Sequence, residues 1–262
     1  MKRFASTAIA WISTAIVVGA FAALFEASRL PARVSLILVA WVCVTAPLSI
    51  GLITFFTNRD TSRSSAILSS STPAVLVAGA LGTFMTVDGI AAQLLVASTA
   101  IGFCVLFLAY WHGMGRGDAR FRADDFAHLS FALHVVATFF VLASAFSLSD
   151  FLPLPLPALA AIAGLITLVT VAETMRRAGL PSSSIPSFAV VMAVVMAEVT
   201  VALSELPTSN LVDAMIGVVV YATCLHAATA ILAPTPRPAV LRRHFALSFA
   251  IVILVLFTAR WA

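Results

Sequence analysis

Pro73 to Trp111 reads PAVLVAGALGTFMTVDGIAAQLLVASTAIGFCVLFLAYW. As one helix this stretch would be about 58 Å long at 1.5 Å per residue, roughly twice the thickness of a bilayer's hydrocarbon core. Its only turn signal is Asp88-Gly89, near the middle. Asp-Gly favours a reversal because glycine takes the positive φ that a tight turn needs. The stretch therefore predicts two antiparallel helices joined by a tight hairpin.

The rest of the chain follows the same pattern. Of its 262 residues 61% are hydrophobic and 10% charged, with a mean hydropathy of +1.09. A soluble domain typically carries about 25% charged residues. There is too little polar surface here to cover a globular particle. Apolar segments fall near residues 5–25, 34–56, 67–87, 90–111, 127–148, 155–173, 187–206, 210–232 and 245–261. The prediction is a single all-α integral membrane domain, a polytopic transmembrane bundle of about nine helices. The number becomes eight if the two halves of the opening stretch do not both cross. The serines of SSSTP, Ser69 to Pro73, predict a cap with proline in the first helical turn. LPLPLP, Leu152 to Pro157, predicts a stiff, polyproline-like entry into the sixth span. Lys2-Arg3 ahead of an apolar run looks like a signal peptide, but the run is longer than a signal core and no small-x-small site closes it, which favours a retained first helix.

Charge sets the orientation. With a cytoplasmic N-terminus and alternating crossings, only Arg29, Arg33 and Arg260 of the fifteen basic residues fall outside. That bias satisfies the positive-inside rule and predicts a multi-pass inner-membrane protein with an extracytoplasmic C-terminus. The net charge of +4 follows from this distribution and does not point to nucleic acid. Membrane lipids, other membrane proteins or further copies of the chain are the expected partners. Cys43, Cys104 and Cys224 all lie in apolar runs without a CxxC pair, as small packing residues would.

Few ionisable groups lie inside the spans. VVMAEVTVALSEL, Val194 to Leu206, places Glu198 near the middle of the seventh span. Placing a charged carboxylate there costs about 2.5–3.5 kcal/mol on insertion scales. The reading is that Glu198 turns into the bundle, buried and neutral, with Tyr221 or His226 of the next span as its partner. It would then serve as an ion, proton or ligand site, or as a lock between two helices. Glu205, seven residues on, lies on the same helix face and would mark either an entry path or the headgroup layer. Ser130, His134 and Thr138 recur at intervals of four, forming one polar stripe on the fifth helix. His134 and His226 at similar depth could shuttle protons or act as axial haem ligands, but satisfied interior histidines are the plainer reading.

The densest charge cluster is GRGDARFRADDFAH, Gly115 to His128. Its Asp118, Asp124 and Asp125 are metal candidates, since clustered carboxylates can hold Mg²⁺ against a diphosphate. A lipid-phosphate enzyme of the nine-helix prenyltransferase kind needs a second such loop, and Glu173 to Ser187 supplies no aspartate. The plainer reading is a solvated interfacial loop. Lys2 is the only lysine, which removes a Schiff base inside a helix, and no glycine-rich nucleotide motif, HExxH or GxSxG occurs.

The last third carries AEVTVALSELP (Ala197 to Pro207), VVVYATCLHAA (Val218 to Ala228), a basic loop ending LRRH (Leu241 to His244) and a terminal TARW (Thr258 to Trp261). Through Glu198, Tyr221 and the Arg260-Trp261 pair, this quarter of the chain resembles an uncharacterised domain-of-unknown-function family of polytopic membrane proteins, mainly from candidate-phylum bacteria. That resemblance implies architecture and no catalysis. Short loops and missing catalytic motifs favour a non-enzymatic scaffold, assembly subunit or binder of a lipid or small ligand. The alternative is an ion-coupled transporter using Glu198, followed by a lipid-phosphate enzyme at Asp118, Asp124 and Asp125.

Overall fold

A computed structural model describes residues 2–27, 32–57, 63–115, 122–151, 155–232 and 238–259. Among the described residues it is helical without strands: α1 (Lys2–Ala27), α2 (Ala32–Thr57), α3 (Arg63–Thr86), α4 (Ile90–Gly115), α5 (Ala123–Phe151), α6 (Leu156–Arg177), α7 (Ile185–Ser204), α8 (Asn210–Leu232) and α9 (Pro238–Thr258). Six of these, α4 to α9, contain a segment long and apolar enough to cross a membrane. Shorter apolar stretches, Ile12–Ala27, Trp41–Ile53 and Ser71–Thr86, belong to α1, α2 and α3. The described residues are all-helical, as composition predicts, and by length and composition six of the helices suit a membrane.

The helices divide into two units, Met1–Ala137 and Thr138–Ala262, with the division inside α5. In the first unit α1 packs on α2 and α4, and α3 packs on both α2 and α4. Phe21 meets Phe84 edge-on at 5.2 Å within a core that includes Val17, Leu24, Leu76 and Leu81. The hairpin expected at Asp88-Gly89 joins α3 to α4, and Gly89 takes φ +88°. Gln93 Nε2 bridges it by donating to Phe84 O at 3.4 Å, while Gln93 N–H donates to Gly89 O at 3.1 Å in the first turn of α4. Phe107, Trp111 and Phe126 cluster at ring distances of 5.5 to 6.0 Å, joining the end of α4 to the start of α5.

One expected boundary is corrected in this unit. SSSTP does not cap α3, which starts at Arg63 and carries Pro73 in its interior. Proline removes one ladder hydrogen bond, but membrane helices tolerate this where neighbouring groups take up the freed polar atoms.

The second unit is a serial array in which α6 packs on α7, α7 on α8, and α8 on α9. The α6–α7 contact depends on small residues. A Cβ at Gly164 would lie 3.3 Å from Ala193 O and 3.7 Å from the Ala197 Cβ. Apolar side chains gain little by leaving lipid for a neighbouring helix, so close backbone approach supplies the attraction. Pro155 enters α6 in extended geometry (φ −66°, ψ 144°), as the proline repeat predicts, while Leu152, Pro153 and Leu154 lie outside the described residues. The helix stops at Gly179, where φ is +71°. Gly179 N–H donates to Arg176 O, and Leu180 N–H to Met175 O, the paired bonds of a Schellman cap. The segment LRRH is not a loop, because α9 already begins at Pro238. Among the described residues of α9 only Val255 is buried.

Two glycine substitutions should separate packing from backbone conformation. Gly179→Ala meets no atom within 4 Å, so only the strained φ opposes it, and a loss of about 1 kcal/mol is expected. Gly164→Leu must force α6 from α7, with an expected loss of about 2–3 kcal/mol. Unfolding in detergent micelles measures both, and equal losses would contradict the close-approach account.

Candidate functional site

The buried face of α6 is polar. Thr167, Thr170 and Thr174 recur at helical spacing, and each is at most 6% exposed. Glu173, also on α6, is fully buried. Arg177 lies one turn on, where its Nε donates to Glu173 Oε1 at 2.9 Å and its Nη2 donates to the same oxygen. The guanidinium thus holds a carboxylate that would otherwise be very costly in a low-dielectric interior.

Tyr221 on α8 completes the cluster. Its side chain is fully buried, and its hydroxyl donates to Thr170 Oγ1 at 3.0 Å. Thr170 Oγ1 donates onward to Ile166 O at 2.9 Å, and Thr174 Oγ1 to Thr170 O at 2.8 Å. Thr138, Thr174 and Glu173 lie within electrostatic reach of the Tyr221 hydroxyl. Three helix segments therefore share one polar core: the second half of α5, α6 and α8. Tyr221, Thr170, Thr174, Glu173 and Arg177 make hydrogen bonds here, an arrangement that fixes helices and shelters an ion pair.

Glu198 is elsewhere. It is exposed, on a face of α7 with Val194 and Ala202, which corrects the expectation of a buried glutamate paired with Tyr221 or His226. The reason is geometric. Packing buries Ala189, Met192, Met196, Thr200 and Leu203, and Glu198 lies about 200° round the helix from Met196 at 3.6 residues per turn. Glu205 is also exposed, at the C-cap of α7, so the two carboxyls outline no path inside the unit.

Each histidine has its own surroundings. His134 is fully buried and shares a 2.8 Å hydrogen bond between its Nε2 and Thr72 Oγ1. His226 is half-buried and stacks on His244 of α9 at 4.4 Å between ring centres. Three residues from His226 on α8, Thr223 Oγ1 donates to Ser248 Oγ at 2.6 Å, so this seam is polar along its length. Neither ring is presented as an unengaged haem ligand. Of the stripe on α5, Ser130, His134 and Thr138 are all buried, as their spacing predicts.

Among the described residues no three His, Cys, Asp or Glu side chains are grouped to hold a metal ion. Asp125 is exposed, whereas Asp118 and the side chain of Asp124 lie outside the described residues. Asn210 Nδ2 donates to Asp150 Oδ2 at 2.5 Å, placing the end of α5 beside the start of α8.

Sequence reading misses Glu173 because it ends the sixth span there. Two signals point to it. No glycine or proline interrupts the helix between Gly164 and Gly179, and Glu173 and Arg177 stand four apart as a same-face ion pair.

Substitutions should rank these carboxyls. Glu173→Leu removes the buried carboxylate to which Arg177 donates and should cost about 3–5 kcal/mol. Tyr221→Phe removes one hydroxyl bond and should cost about 1 kcal/mol. Glu198→Leu should leave the fold of an isolated chain intact. Unfolding midpoints in micelles check the order, and a Glu198 loss matching that of Glu173 would contradict it.

The chain matches no family model, no curated protein and no solved structure, so the roles of these residues rest on their chemistry and placement.

Proposed function

We propose that this chain is a non-enzymatic component of the bacterial inner membrane, a scaffold or assembly subunit that binds another membrane segment along α7. The observation that carries the reading is the exposure of Glu198 six residues, about 9 Å, inside the end of an apolar helix. A carboxyl facing acyl chains has no polar contact, whereas one facing another helix can be satisfied. The buried polar groups support the same reading, since Glu173, Arg177, Tyr221, Thr170, His134 and Thr72 are committed to helix contacts. Ion-coupled transport through Glu198 requires that carboxyl to face the bundle interior, and its exposure favours assembly instead. The chain sits with its N-terminus in the cytoplasm and its C-terminus outside, on the charge distribution of its loops.

Two measurements test this. Native membranes dissolved in mild detergent should release a particle holding more than one polypeptide at fixed stoichiometry, by native mass spectrometry. A particle containing a single 27.5 kDa chain would overturn the assembly reading. Separately, Arg120→Cys and Asp150→Cys should react with an impermeant thiol reagent from opposite sides of the membrane, and labelling from one side would defeat the orientation.

A further inference from the structure

We infer that the start of α9 binds an anionic phospholipid, with its phosphate between Arg242 and Arg243 and its acyl chains along the apolar rows that follow them. The site is separate from the α7 contact and does not depend on it.

Both arginines stand where phosphates lie. The apolar part of α9 is Leu241–Thr258, about 27 Å long at 1.5 Å per residue, close to the thickness of a hydrocarbon core. Arg242 and Arg243 open that segment and are exposed. The packing of α9 turns them outward. His244 stacks on His226, Ser248 accepts from Thr223 and Val255 is buried, so these three mark the face toward α8. At 100° per residue Arg243 and Arg242 lie about 100° and 200° round from His244, away from that face.

The chain offers them no counter-charge. No Asp or Glu follows Asp213 in the sequence, and Asp213 lies about 20 Å along α8 from His226. Glu198 and Glu205 sit toward that same far end of α8, and Glu173 is engaged by Arg177. Two guanidiniums beside two imidazoles therefore call for an anion from outside, and arginine suits phosphate in particular. Each arginine near an anionic lipid surface adds about fivefold in preference.

The surface beyond the arginines selects a lipid over a soluble anion. Phe249 lies within about 20° of Arg242 round the helix, and Leu254 within about 20° of Arg243. They are 68% and 63% exposed. From Arg242 to Ile253 the first row runs about 16 Å, one leaflet deep. A headgroup on the arginines thus leaves its chains lying on these rows.

The test places the full chain in phosphatidylcholine vesicles with a trace of photoactivatable phosphatidylglycerol or photoactivatable phosphatidylcholine, and maps crosslinks by mass spectrometry. In wild type the phosphatidylglycerol probe should label α9 at least tenfold more than the phosphatidylcholine probe. Arg242→Gln with Arg243→Gln should abolish that preference, whereas lysine at both positions should retain most of it. Both pairs replace exposed side chains, so the fold is kept.

Equal labelling by the two probes in wild type would overturn the site. So would a preference that maps to another helix, one that survives the glutamine pair, or a lysine pair as weak as the glutamine pair. Displacement of the probe by millimolar inorganic phosphate would make the ligand a soluble anion and likewise end the lipid proposal. The particle released from native membranes is measured separately, so failure here leaves the assembly reading intact.

Discussion

A carboxyl in hydrocarbon must find a polar partner or face a medium that can solvate it, and the second unit of this chain is arranged around that constraint. Glu173 meets it internally. Arg177, one turn away, supplies the counter-charge to a side chain that is fully buried. Thr170 gives Tyr221 an acceptor, and Glu173 lies within electrostatic reach of the same hydroxyl, so the charge and the α6–α8 contact share one polar core. Hydroxyls suit this task because they can return their hydrogen to the helix backbone, as Thr170, Thr174 and Thr200 do, and need no external partner.

The same constraint explains how α6 and α7 adhere. In water, burying apolar side chains would drive their association; in lipid that drive is almost absent. Gly164 opposite Ala193 and Ala197 brings the backbones close enough for dispersion to act. α9 lacks such a surface and is held by a thin polar seam, Thr223 to Ser248 and His226 to His244. Its phenylalanines are left outward, Phe257 being 85% exposed, which is the surface a lipid-facing helix should present.

Much of the fold is legible in the sequence for reasons that hold in any solvent. The Pro73–Trp111 run is too long for one crossing, and Asp88-Gly89 has only one good use inside it. Helix ends marked by Gly179 or Pro155 are similarly fixed by backbone conformation. Two rules fail, one calibrated in water and one in lipid. Pro73 reads as a helix start, yet α3 runs through it. An interior Glu198 follows from the premise that a polar group hides from lipid within its own bundle. Both faces of α7 are apolar, Val194 outward and Met196 inward, so no amphipathic pattern tells them apart.

The two glutamates differ in one respect that sequence does display. Within its own helix, Glu173 has Thr170 at i−3, Thr174 beside it and Arg177 at i+4. Glu198 has Val194, Val195, Val201 and Ala202 at i±3 and i±4. A carboxyl with companions on its own helix face can be buried with that face, because the cost of desolvation is shared among groups that move together. A carboxyl without them brings no compensation into a core. It is better placed where a partner from outside can reach it. In a membrane chain, then, the company a charged residue keeps at i±3 and i±4 carries more information about its direction than its depth does.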